Sequence, residues 1–201
     1  MNKKDRRNLI LDVSEKLFYE KGFEESSTEE IIKKADIARG TLYYYFAKKE
    51  DILDAVIERK AEKIFNEARK IAFNKNLSPG ERLVSSIVAM KEKSGQEDEL
   101  DKLHSPQNAL MHQKTNDYIL DKVSPFLSQI VNDGIIEGVF DTKYPEECID
   151  MILIYANVAF DHLKKDTNPK IMQKKFEAFF YNIHKLLGAR ENSLDLKRII
   201  G

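Results

Sequence analysis

The stretch STEEIIKKADIARGTLYYYFAKKEDIL, Ser27 to Leu53, decides how this chain folds. Ser27 followed by Glu30 forms a capping box: the serine oxygen can accept from the third backbone N–H of a helix while the glutamate returns to the serine's own N–H. Ser26 and Glu29 offer the same box one residue earlier. The helix so opened is short. Ala35 closes it, and Ala35-Asp36-Ile37-Ala38 leads into a second helix over Arg39–Phe46. Four consecutive aromatic residues, Tyr43 to Phe46, end that second helix. At 100° per residue they fan across about 300° of its circumference, so one buried face cannot hold all four rings. Leu42 and Phe46 stand four residues apart and share the core face. At least one tyrosine must therefore face water or a partner.

Outward from this stretch the chain reads as helix almost throughout. Residues 5–21 carry Leu9, Ile10, Val13, Leu17 and Phe18 at helical spacing, and Gly22 follows as a stop. A longer helix is expected from Glu50 to about Asn74, with Ile52, Leu53, Val56, Ile57, Ile64 and Phe65 inward. Ser78-Pro79-Gly80-Glu81 marks the clearest internal boundary, with Ser78 as N-cap, Pro79 as first helical residue and Glu81 as the returning acid. That helix should fray in the polar KSGQEDE segment. Ser105-Pro106 then opens a helix to about Lys122, and Ser124-Pro125 either restarts or kinks the chain toward Gly138. Pro145 and Pro169 open two more helices, to about residues 165 and 188, and residues from Glu191 read as a weakly tied tail. No strand-like alternation, internal repeat or low-complexity tract is present. The expected class is all-α.

Composition bounds the function. With 201 residues, 42% hydrophobic and 33% charged, the chain fits a globular protein of one or two domains. No apolar run approaches the ~20 residues of a membrane span. The N-terminus has no sustained apolar segment or small-residue cleavage site, so no secretory leader is expected. The single Cys148 excludes an internal disulfide, which fits a reducing cytoplasm, and a small buried thiol is its plainer reading. Residues 1–49 hold eleven Lys/Arg against nine Asp/Glu, leaving a small positive excess that the rest of the chain reverses to reach the net charge of −1. Such a bias matters only where the bases gather on one surface.

Three short helices, the second of eight residues and joined to the third by a four-residue connection, make a helix-turn-helix arrangement. With its glycine, aromatic run and trailing Lys-Glu, the stretch from Asp5 to Leu53 resembles the TetR family of bacterial transcriptional regulators. The resemblance implies a DNA-binding domain over residues 1–49 and a helical effector-binding and dimerisation domain over 50–201, with 50–74 as connecting helix. It implies that the third helix enters the major groove of a double-stranded operator. Arg39 would read guanine, Gly40 would let the backbone approach, and Thr41 would touch a base or a thymine methyl. Tyr43, Tyr44 and Tyr45 would offer hydroxyls to phosphates, with Thr28 and Lys49 as further phosphate clamps at helix starts. The family often has Gly where Asp36 stands and Ser or Thr where Ala38 stands, so this chain lacks the usual cap of the third helix.

Residues 145–188 are apolar around more than half of both helices, which calls for burial on two sides. One side is the subunit's own core. The resemblance assigns the other to a homodimer interface carrying Ile152, Ala156, Ala159, Phe160, Phe176, Phe180 and Ile183. The resemblance also implies a cavity for a small-molecule effector, with Phe65, Ile87, Met90, Asn108, Met111, His112, Thr115, Tyr118 and Tyr155 as candidate lining. For each apolar one, core packing is the competing reading. His104, His112, Asp117 and His162 lack the i,i+4 spacing of helical metal pairs, so neither metal nor cofactor is expected. The combined expectation is a cytoplasmic, non-enzymatic, homodimeric regulator, most simply a repressor released by its effector. The competing classes are a helical enzyme or ligand carrier with a vestigial DNA head, and an activating or architectural DNA binder without effector. Retention of Arg39-Gly40-Thr41 with Lys49 argues against the first; a closed, ligand-free core would favour the second.

Overall fold

The computed structural model describes residues 3–93, 106–161 and 168–195. Among them are eight α-helices: α1 (Lys3–Lys21), α2 (Thr28–Ala35), α3 (Arg39–Tyr45), α4 (Lys49–Ala72), α5 (Pro79–Lys93), α6 (Ala109–Ile136), α7 (Pro145–Asp161) and α8 (Pro169–Leu186). A 3₁₀ turn, Pro106–Asn108, leads into α6. The described residues contain no strand. The expected fraying at KSGQEDE, and His104 and His162, lie outside them.

The described residues fall into two compact units, the first taking in 3–62 and 106–118, the second 63–93, 119–161 and 168–195. The first unit is built around α1. Ile10, Leu11, Leu17 and Phe18 are fully buried in one cluster with Ile31 of α2, Leu42 of α3, Ile52, Leu53 and Val56 of α4, and Met111 of α6. Phe18 meets Phe23 edge-to-face at 5.4 Å. Gly22 stops α1 for two reasons. Its φ of +90° suits glycine, and a Cβ there would stand 2.5 Å from the Gln107 carbonyl oxygen. Ionic contacts reinforce the packing: Arg59 of α4 reaches Asp12 and Glu15 of α1 at 2.6 Å each. Lys114 of α6 meets Asp54 at 2.6 Å, and the Tyr118 hydroxyl donates to Glu62 at 3.2 Å.

Both readings of the α2 capping box are resolved. Ser27 and Glu30 form it reciprocally, whereas the Ser26 hydroxyl donates to the Gly22 carbonyl at 2.7 Å. Glu30 also accepts from Lys21, and that hydrogen bond, then the one from the Ser27 N–H, holds its carboxyl below the ordinary range. The second box stands as read: the Ser78 N–H donates to Glu81 at 2.9 Å and the Glu81 N–H to Ser78 Oγ at 3.3 Å.

The second unit contains a buried cation. Arg82 of α5 is 1% exposed; its Nε donates to the Ala72 carbonyl at the end of α4 and its Nη2 to Asp133 of α6, both at 2.7 Å. Lys75 and Gln129 donate to the same carboxylate. The Ser86 hydroxyl donates to the Ala68 carbonyl at 3.1 Å, a second tie between α5 and α4.

Two expectations are corrected here. Residues 109–136 form one 28-residue helix, with Pro125 inside it rather than at a new start. Ser124 does not cap; its hydroxyl donates to Asp150 of α7. The tail expected from Glu191 is tied as far as Leu194: the Ser193 N–H donates to the Arg190 carbonyl at 3.1 Å, and the Arg190 N–H donates to the Val139 carbonyl at 3.0 Å. Leu194 is buried, and a Cβ on Gly80 would stand 1.8 Å from the Ser193 carbonyl oxygen. Cys148 is buried, its thiol donating to the Leu186 carbonyl at 3.3 Å.

Candidate nucleic-acid interface

The turn between α2 and α3 sets the aim of α3. Asp36 takes the left-handed conformation, φ 49° and ψ 54°, and its N–H bonds to the carbonyls of Ile32 and Lys33. Ala38 is the N-cap of α3 and supplies no side-chain hydrogen bond, as its side chain dictates. Leu42 and Phe46 are buried against α1 and α4 in the first unit's core. The rings then divide. Tyr43 and Tyr44 are exposed, Tyr44 by 66%, while Tyr45 is half-buried and packs against the core cluster. Tyr44 and Tyr45 meet edge-to-face at 5.0 Å.

The N-terminal turn of α3 is open. A Cβ on Gly40 would meet nothing within 4 Å, so no packing inside the subunit explains a glycine in a helix. Thr41 beside it is half-buried. The Arg39 guanidinium lies 5.9 Å from the Tyr43 ring centre and 3.3 Å from Glu29 on α2. Thr28 opens α2, its hydroxyl donating to the other oxygen of Glu29 at 3.2 Å. Lys49 is engaged elsewhere: its ammonium donates to the carbonyls of Phe23 (2.8 Å), Ser26 (2.9 Å) and Glu24 (3.4 Å) and stands 4.1 Å from the Phe23 ring centre. It pins the α1–α2 turn to the start of α4. Lys48, which precedes it, is exposed. Sequence reasoning gave Lys48 no role and read Glu29 only as the acid of an alternative capping box.

The residues expected around an effector are distributed as follows. Met111 belongs to the first unit's core, and Thr115 donates to its carbonyl at 2.8 Å. Tyr118 packs on that cluster; Asn108 is buried and His112 half-buried. Met90, Phe65 and Tyr155 belong to the second unit. Tyr155 stacks on Phe179 at 5.4 Å and borders an open groove of about 250 Å³ between α7 and α8, lined also by Met151, Ile152, Asn182, Ile183 and Leu186. Of the expected interface residues, Ile152 and Ile183 are buried within the subunit, and Ala156, Ala159, Phe176 and Phe180 are half-buried. The side chain of Phe160 lies outside the described residues. No cluster of metal-ligating side chains occurs among the described residues. None of the described helices is long and apolar enough to cross a membrane.

A short capped helix, a left-handed turn and a helix with one buried and one open aromatic face form a helix-turn-helix arrangement. Comparison with known families agrees. Residues 10–56 match the family model of bacterial regulatory proteins of the tetR family, and residues 90–181 match the tetracyclin repressor-like C-terminal domain. The chain belongs to the TetR family of transcriptional regulators. It is 36% identical over 62 residues to the uncharacterised regulator YuxN of Bacillus subtilis, spanning 31% of this chain and 21% of that protein. With the transcriptional repressor KstR2 of Rhodococcus jostii it shares 32% over 69 residues, 34% of each chain. The chain thus spans about a fifth and about a third of the lengths of these two relatives. Against KstR2 of Mycobacterium tuberculosis the likeness is 27% over 158 residues, 73% of this chain and 74% of that one. In fold it resembles Salmonella enterica GusR, with a TM-score of 0.62 at 20% identity, covering 94% of this chain and 98% of that one.

Proposed function

We propose that the protein is a homodimeric repressor that reads a palindrome-like operator through α3 and is released by a small molecule bound in its C-terminal half. It acts in the cytoplasm without enzymatic activity. The observation that supports the reading is the exposed face of α3, where Arg39, Tyr43 and Tyr44 stand in solvent beside the open space around Gly40, on a helix anchored by Leu42 and Phe46. A guanidinium fork matches guanine O6 and N7, and exposed tyrosine hydroxyls suit phosphate oxygens. The domain division follows the same reading, with the DNA head in residues 1–49 and α4 beginning the effector and dimerisation region.

Dimerisation is supported by α7. Met151, Ile154, Tyr155 and Val158 stand at i, i+3, i+4 and i+7 and are each half or more exposed, an apolar stripe that water disfavours. A two-fold dimer that reads a palindrome-like operator needs its two α3 helices about 34–36 Å apart, one DNA turn. An effector that prefers a head spacing unsuited to successive grooves then weakens operator binding by its coupling free energy. KstR2, a repressor by name, supports the sign of regulation.

The test begins with selection of duplexes from a randomised pool, followed by footprinting and sedimentation. The reading requires an enriched two-fold-related sequence bound by a dimer, and a small-molecule screen in which stabilising hits release DNA. Failure to enrich any sequence, or a monomer at micromolar concentration, would overturn it.

A further inference from the structure

Glu29 lies between Thr28 at the start of α2 and Arg39, the base-reading residue of the proposed function. One carboxylate oxygen is 3.3 Å from Nη2 of Arg39 on α3; the other accepts from the Thr28 hydroxyl at 3.2 Å. The acid therefore bridges the start of α2 to the start of α3. Its side chain is 65% exposed and that of Arg39 70%, so neither is required by the core. The neighbouring Glu30 is accounted for by the capping box and Lys21. Glu29 stands outside that box, and in the proposed reading it places a negative charge where a polyanion is to approach.

We infer that Glu29 is a specificity-determining positioning residue, which orients the Arg39 fork toward a base edge and disfavours its use on phosphate. The inference rests on α3 being the DNA-reading helix. On a duplex of arbitrary sequence, Arg39 gains most by turning to the backbone, which breaks the ion pair and leaves Glu29 beside phosphates of like charge. On the preferred sequence the guanidinium keeps one edge toward Glu29 while its free N–H groups meet guanine, as a fork with five donors allows. The carboxylate thus penalises the wrong complex more than the right one, which is the physical form of specificity.

The experiment measures affinity of the full chain for two probes, a duplex selected by the wild type and a scrambled duplex of equal length and composition. Glu29→Gln should tighten binding to the scrambled duplex and lower the discrimination ratio about threefold, the scale of an exposed ion pair. Glu29→Asp keeps the charge but loses the reach; it should lower discrimination without tightening scrambled binding. In an Arg39→Ala background, Glu29→Gln should raise both affinities alike and leave the ratio where Arg39→Ala has put it. An unchanged ratio in Glu29→Gln, or an equal drop with and without Arg39, overturns the inference. If Arg39→Ala itself changes neither affinity nor base preference, the underlying reading of α3 fails, and this inference fails with it. Melting temperatures of all variants separate these outcomes from loss of the α2 helix.

Discussion

At the scale of single residues, Gly40 and Lys49 separate DNA contact from structure. Alanine suits a helix better than glycine by up to about 1 kcal/mol, and the space around Gly40 is open. Gly40→Ala should therefore leave thermal stability unchanged or raised while weakening operator binding, because under the proposed function only DNA would meet the added methyl. Equal operator affinity in a gel-shift titration would show that the backbone of α3 does not approach the duplex closely there. Lys49 is the opposite case. Sequence resemblance assigned it to a phosphate, but its three ammonium donors point at the Phe23, Glu24 and Ser26 carbonyls. Lys49→Met should cost about 1–3 kcal/mol of stability, since it orphans carbonyls that a charged donor had satisfied. It should leave the salt dependence of DNA binding unchanged, whereas Lys48→Ala should flatten the log–log slope by about 0.9 if its exposed ammonium meets one phosphate. A flattened slope in Lys49→Met instead would return the lysine to the DNA interface.

Elements were legible in the sequence wherever a local signal fixes a terminus. The Ser27–Glu30 box, Gly22, Ser78-Pro79 and the prolines that open α7 and α8 each mark a boundary because a cap or a missing N–H acts within a few residues. Leu42 and Phe46 were legible for the same reason: an i,i+4 pair needs only helix geometry. What sequence could not show depends on distant partners. Ser124-Pro125 reads equally as a restart or a kink, yet α6 runs through it without restarting, and Ser124 is taken up by Asp150 from another helix. The carbonyls that hold Lys49 could not be foreseen, because they lie more than twenty residues earlier in the chain. The α2–α3 turn offers a test of a local signal. Asp36 is left-handed, where a Cβ is strained, and its negative charge sits at the carboxyl end of α2, where the helix dipole repels it. Glycine removes both terms but adds freedom to the unfolded chain. Asp36→Gly should thus raise stability by a net ~0.5–1 kcal/mol in denaturant melts. A loss of stability would mean that the aspartate side chain holds the turn.

On the scale of the whole molecule, buried charge and exposed apolar surface make separate demands. Burial alone would raise the Asp133 carboxyl, but hydrogen bonds from Lys75, Arg82 and Gln129 outweigh it and hold it below the ordinary range. A depressed folded pKa contributes stability that is fully present above the unfolded value of about 4 and is lost as pH falls through the folded one. Stability should therefore decline below about pH 4, and Asp133→Asn, which leaves Arg82 buried without its charge partner, should be less stable at neutral pH and flatter in that acid window. Melting curves from pH 7 down to 3 measure both. The apolar stripe of α7 makes the remaining demand. Met151, Ile154, Tyr155 and Val158 lie on a different face from Ile149 and Ile152, which are buried within the subunit, so the two sides can be perturbed independently. Val158→Glu adds a charge to the exposed face only; in a monomer it would be solvated and nearly neutral. In a dimer packed on this stripe the charge is buried without a partner, so dimerisation should fall by orders of magnitude and operator affinity with it, while the monomer's melting stays near that of the wild type. Ile152→Glu supplies the contrast, because it should unfold the subunit itself. Unaltered sedimentation of Val158→Glu as a dimer would place the two-fold axis on another surface.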